Sequence, residues 1–116
     1  MTSPIDRIAA FHVLNPTEFP ILVHLEIQQI VERGLPRGLN LSLELARESN
    51  AQSHLLLRFE GVTDVRIDWP DWSLVRLDVI EVTDISDRGL EGARFRVSEG
   101  SGLFAFSCAD FHGGVR

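Results

Sequence analysis

The sequence predicts an all-β protein, an antiparallel β-sandwich or strongly curled sheet of about seven strands, mostly in meander order. Three observations lead there. After Pro20 apolar and polar residues alternate with period two through most of the chain, the pattern of half-buried strands. Turn-forming residues interrupt that alternation at intervals of roughly 8–12 residues. No strand–helix–strand alternation is present, so a parallel sheet would lack its crossovers.

Residues 1–20 stand apart as an irregular N-terminal segment. Pro4, Pro16 and Pro20 punctuate it, Ile5, Ile8 and Ala9 are helically spaced, and Asp6 is placed to cap a short turn. An edge segment or a single helical turn is expected, so the fold has room for one short N-terminal helix. From Ile21 onward Val23, Leu25 and Ile27 face one way and His24, Glu26 and Gln28 the other. That is a strand, although Q-Q-I-V-E-R-G-L-P breaks phase and a helix over 21–33 competes.

Gly34, Pro36 and Gly38 turn the chain into a regular strand, with Leu39, Leu41, Leu43 and Leu45 inward against Asn40, Ser42 and Glu44. Ser49-Asn50 is the next turn, and Leu55, Leu57 and Phe59 form the next inner set. Gly61 marks a bulge or tight turn, since glycine tolerates positive φ. Val65, Ile67 and Trp69 alternate with Asp64, Arg66 and Asp68, and W-P-D-W reads as a turn. A long strand over 74–83 puts Val75, Leu77 and Val79 inward, with a phase slip at Val79-Ile80 that signals a bulge or bend. After the loop S-D-R-G-L-E-G, Ala93, Phe95 and Val97 face inward with Arg94 and Arg96 outside. E-G-S-G is a hairpin loop, and Phe104, Phe106 and Cys108 share the inner parity of the last strand.

A chain of 116 residues suits one β domain spanning 1–116. A single cysteine rules out an internal disulfide framework and fits a reducing compartment. The N-terminus has no charged region followed by an apolar one, and no run approaches the roughly 18 apolar residues of a membrane helix. A soluble cytoplasmic protein is expected. Arginine supplies all 11 basic residues, and lysine and tyrosine are absent. Such a bias suits a GC-rich coding sequence.

The net charge of −6 is concentrated. Between Glu60 and Glu91 nine acids (Glu60, Asp64, Asp68, Asp71, Asp78, Glu81, Asp84, Asp87 and Glu91) face three arginines, and the remainder of the chain is neutral. Such a segment repels nucleic-acid phosphates and anionic membrane surfaces and attracts a basic protein. It serves equally well as a solubilising face. Asp64 and Asp68 share a strand face with Arg66 between them, which favours charge pairing over paired-carboxylate catalysis. Trp69 follows the inward parity. Trp72, beside Asp68 and Asp71, is the better interface candidate, because tryptophan is enriched at binding hot spots.

Cys108, Asp110 and His112 are spaced by two and could share a strand face. The two phenylalanines before Cys108 turn that face inward, where cysteine acts as a small hydrophobe. The strand is expected to end or bulge near Ala109, with Phe111 taking the buried role and Gly113-Gly114 releasing the chain. A zinc site would want clustered ligands, whereas His12, His24 and His54 are isolated in sequence. The chain has no P-loop, G-x-G-x-x-G, H-E-x-x-H, G-x-S-x-G or calcium-loop motif. No catalytic, metal or cofactor site is expected.

The run L-L-L-R-F-E-G-V-T-D-V-R-I, the alternating strand with acidic outer residues, and the ending F-x-F-S-C resemble small bacterial all-β immunity proteins, which neutralise toxins encoded beside them. The resemblance spans about residues 39–109 and rests on hydrophobic spacing, on Phe59, Gly61 and Val62, and on the aromatic–cysteine ending. It implies a cytosolic, non-catalytic binder of a basic partner. Asp64, Asp68, Asp71, Trp72, Asp78, Glu81 and Asp84 are the candidate contact residues. Two rival readings stand beside it. One is a ligand-binding or enzymatic β-barrel, disfavoured by the near absence of polar residues at inward mid-strand positions. The other is an oligomeric structural subunit.

Overall fold

A computed structural model describes residues 4–48, 52–68, 75–89 and 92–116 of the chain. Helix α1 (Pro4–Val13) leads into eight strands. Strands β1 (Ile21–Glu32), β2 (Leu35–Ala46), β3 (His54–Glu60) and β8 (Asp110–Val115) form the first sheet, in that spatial order. The second sheet is built from β4 (Thr63–Ile67), β5 (Ile80–Asp84), β6 (Phe95–Glu99) and β7 (Phe104–Cys108), in the order β4-β7-β6-β5. Every pairing is antiparallel. The predicted class therefore holds: one short helix and two antiparallel sheets, not closed into a barrel.

The inward sets meet between the sheets. Leu41, Leu43, Leu45, Leu55, Leu57 and Phe59 of the first sheet are all at most 1% exposed, as are Phe95, Val97, Phe104, Phe106 and Cys108 of the second. Phe59 packs edge-on against Phe106 with ring centroids 4.9 Å apart, and Phe111 does the same with Phe95 at 4.9 Å. Both contacts join one sheet to the other. Each such ring contributes roughly 1.5–3 kcal/mol through burial.

The first correction concerns the N-terminus. Residues 4–13 form a ten-residue helix, not a single turn. A helix this short is marginal by itself. Phe11, 1% exposed, meets Phe111 edge-on at 6.0 Å, so tertiary packing holds what local propensity does not.

Strand β1 settles the competition over 21–33 in favour of a strand. The register shifts between Leu22 and His24, which makes Val23 the extra residue. Leu22 is buried while Val23 is 50% exposed, the reverse of the simple alternation. The slip expected at Val79-Ile80 is present, since Val79 is exposed and Ile80 buried. The long strand over 74–83 shrinks to β5. Before it, Arg76 makes an isolated antiparallel bridge to Ile21.

The chain crosses between sheets twice. Gly61 (φ 63°) carries it from β3 to β4, and Ala109 carries it from β7 to β8. The crossings touch: Ala109 N donates to Glu60 O at 2.9 Å, and a Cβ on Gly61 would lie 2.9 Å from Ala109 Cβ. Phe111 takes over the buried role, as expected. Gly113 and Gly114 do not release the chain, however. They pair with Leu57 and Leu56 in β8, an eighth strand that the glycines had hidden.

Candidate partner-binding surface

The candidate acids divide between the two edges of the second sheet. Strands β4 and β5 lie at opposite edges, with β7 and β6 between them. Asp64 and Asp68 belong to the β4 side, Glu81 and Asp84 to the β5 side. Asp71 and Trp72 lie outside the described residues, as do Trp69 and Glu91.

Asp64 has the least ordinary geometry. Its φ of 53° is left-handed, in an edge strand whose register shifts between Thr63 and Arg66. Aspartate tolerates this conformation better than most residues. A bulge at a sheet edge re-aims a side chain, and that of Asp64 is 83% exposed. Arg96 of β6 donates from Nη1 to Asp64 Oδ2 at 3.1 Å and to Ser107 Oγ at 3.1 Å. The arginine thus stands on the outer face of the sheet between the two acidic edges. Asp68 is exposed, and its backbone N donates to Leu103 O at 2.8 Å.

On the other side, Glu81 is exposed and stands opposite Ser98. Asp84 Oδ1 accepts from Ser86 Oγ at 2.6 Å and Ser86 N at 2.9 Å, and these bonds lower its pKa. Asp78 is exposed, and its backbone N donates to Glu99 Oε2 at 2.6 Å.

Glu99 is an inward polar residue that periodicity alone does not reveal, 3% exposed. Burial pushes its carboxyl up, but hydrogen bonds from Ser101 Oγ and from the backbone N of Leu103, Asp78 and Ser101 outweigh it, and the pKa is lowered. The signal was the G-S-G loop that follows, since Ser101 and Leu103 supply three of the four donors. Glu99 pins that loop and offers nothing to a ligand.

The C-terminal trio does not converge. Cys108 is fully buried, and burial pushes its thiol up to about 12. Asp110 is tied to Arg7 of α1. His112 is exposed, with Nδ1 3.8 Å from Glu60 Oε1. Among the described residues no group of three or more histidine, cysteine or acidic side chains could hold a metal ion.

The outer face of the first sheet brings together what the sequence keeps apart. His24 stands beside Glu44, His54 beside Ala46, and His112 beside Arg58. His54 Nδ1 and Glu44 Oε2 are 2.5 Å apart. A groove of about 530 Å³ is lined by His24, Glu44, Arg58 and His112 and runs over Leu56 and Gly114. Three histidines far apart in sequence reach one face because each has outward parity on a neighbouring strand.

Among the described residues neither surface has the convergent buried acid, base and nucleophile of a hydrolytic centre. The family model described as Immunity protein PIM8 matches residues 3–113, nearly the whole chain. The chain belongs to this family. No curated protein and no solved structure matches it. Membership in the PIM8 immunity family supports a protein-binding role, and the match includes α1, which the earlier resemblance left out.

Proposed function

We propose that this PIM8-family protein is a cytosolic, non-catalytic inhibitor that neutralises a cognate toxin by binding it. The toxin surface it covers is basic, and the acidic edges of the second sheet make the contact. Family membership supports the inhibitor role. Asp64 carries the surface assignment. A non-glycine residue in the left-handed region, on a bulged edge, holds its carboxylate 83% exposed. Such strain is kept where an orientation is used. Complementary charge then speeds encounter with a basic partner.

The test is co-purification of the chain with the toxin encoded beside it, followed by titration calorimetry at several salt concentrations. Replacing Asp64, Asp68 and Asp71 with serine weakens the complex and flattens its salt dependence. A second variant, Glu81→Ser with Asp84→Ser, reports on the opposite edge. Full affinity in both variants removes the acidic edges from the interface. Absence of any toxin complex removes the inhibitor reading itself.

A further inference from the structure

The long hairpin β1–β2 reaches past the rest of its sheet. Strand β3 pairs with β2 only as far as Asn40, opposite Glu60, so residues 29–39 continue as a two-stranded ribbon with Ile27 at its base. Among the described residues the hairpin holds the largest group of exposed apolar side chains: Ile27 is 42% exposed, Val31 59% and Leu35 59%. A bare ribbon gains little stability by itself, and exposed β-branched residues on it have no use within the fold. Strand β1 is also an edge strand. The chain near Val75–Leu77 bonds its start, through Leu22 N to Val75 O and Leu77 N to Pro20 O. From His24 to Glu32 no described strand pairs with its outer side. Past the Val23 bulge β1 is regular, because the second register shift skips Arg37 on β2 and not a residue of β1. The result is nine residues, 24–32, of regular open edge.

We infer that this edge is a homodimer interface, occupied by the β1 strand of a second copy of the chain. Charge selects that occupant. The chain carries −6 overall, but residues 24–39 of the hairpin hold Glu26 and Glu32 against Arg33 and Arg37, and Glu32 is paired with Arg37 at 3.4 Å. A neutral apolar surface gives a basic toxin no electrostatic grip. For two acidic chains it is the place where association costs least repulsion. The edge is also self-complementary, as a two-fold contact requires. In an antiparallel pair centred on Gln28, Leu25 meets the second copy's Val31 and His24 meets its Glu32. Centring on Gln29 would set Glu26 against Glu32, and like charges directly opposite are unfavourable. The Gln28 register is therefore the one selected.

The purified chain alone tests this, with no toxin present, so the outcome is independent of the inhibitor reading. Sedimentation equilibrium of the wild type is expected to show a mass rising with concentration from 13.0 kDa towards twice that value. Ile27→Lys and Val31→Lys, both at exposed positions, are expected to hold the chain at one copy with an unchanged circular dichroism spectrum. Under mild oxidation Gln28→Cys is expected to give a cross-linked dimer, and Asn40→Cys, its neighbour on β2, is not; the buried Cys108 does not compete. A wild-type mass that stays at one chain across the range, with no Gln28→Cys cross-link, overturns the dimer. So does a monomeric wild type whose capture of the toxin is abolished by Ile27→Lys, since the arm then belongs to the toxin.

Discussion

Arg7 and Asp110 meet across 103 positions of sequence, with Arg7 Nε 2.9 Å from Asp110 Oδ1 and Nη2 donating to Oδ2 at 3.1 Å. The pair fastens α1 to the first residue of β8, directly after the chain leaves the second sheet. Its side chains are 32% and 38% exposed, so solvent screens it, and its one hydrogen bond is the one from Nη2. A double-mutant cycle of Arg7→Ala and Asp110→Ala in urea unfolding is expected to give a coupling of about 0.5–1 kcal/mol. Zero coupling would mean that apolar packing, by Phe11 and Ile8, docks the helix without this pair.

Glu99 should dominate the acid limb of stability. Its pKa is lowered in the folded protein. The stability it adds is therefore present above the ordinary carboxylate range and is lost as pH falls through its depressed value. Glu99→Gln leaves at least one of the four donors facing an amide NH₂ and is expected to cost about 1–3 kcal/mol at neutral pH. The free energy of unfolding against pH should slope less steeply below pH ~5 in this variant than in the wild type. Parallel slopes would exclude Glu99 as the source.

Cys108 titrates in the opposite sense. Burial, helped by the nearby Asp110 charge, raises its thiol from an ordinary 9.0 to about 12. Folding is favoured fully below the ordinary value, and that contribution is lost as pH rises towards about 12. Alkylation of Cys108 at pH ~8 should proceed only through unfolding, so its rate should follow the urea dependence of global opening. Rapid labelling in native buffer would place the thiol outside the core.

Adjacent glycines in β8 should respond very differently to alanine. A Cβ on Gly113 would lie 2.6 Å from Leu57 Cδ2, 2.8 Å from Leu56 O and 3.1 Å from Leu14 Cδ1. Because one of those atoms is backbone, Gly113→Ala is expected to cost about 1–3 kcal/mol. Gly114 has nothing within 4 Å of its Cβ position, so Gly114→Ala should leave the thermal midpoint within about one degree of wild type while intruding on the groove. Equal losses in both would contradict the packing of Leu57 and Leu14 over Gly113.

The strands were legible where a long alternation ran unbroken. Leu41 to Leu45, Leu55 to Phe59 and Phe104 to Cys108 each kept one parity and lie in the core, with Leu39 partly buried against it. The reading failed where one residue changed the phase or carried no signal. Val23 is the extra residue of a bulge and turns outward, while Leu25 keeps the expected inward side. Gly113 and Gly114 have no side chain to alternate, so β8 read as an exit. Pro4 suggested an interruption, although proline suits the first turn of a helix. The acidic run from Glu60 to Glu91 read as one surface because its residues are neighbours in sequence. Strand order then sends β4 and β5 to opposite edges, and order is a non-local property that composition does not encode. Grouping of His24, His54 and His112 on one face was hidden for the same reason.

The touching crossovers have a consequence for synthesis. Strand β4 waits for β7 and β3 waits for β8, while everything before Phe104 supplies only the β1–β2–β3 meander and the β5–β6 hairpin. A nascent chain emerging from the ribosome therefore holds two unfinished half-layers until Phe104–Val115 arrives and joins both at once. Late, non-local closure of this kind is slow and leaves strand edges exposed to chaperones and proteases. The complete two-sheet surface exists only once that final stitch is made, so the interval between translation and closure delays any binding to a partner.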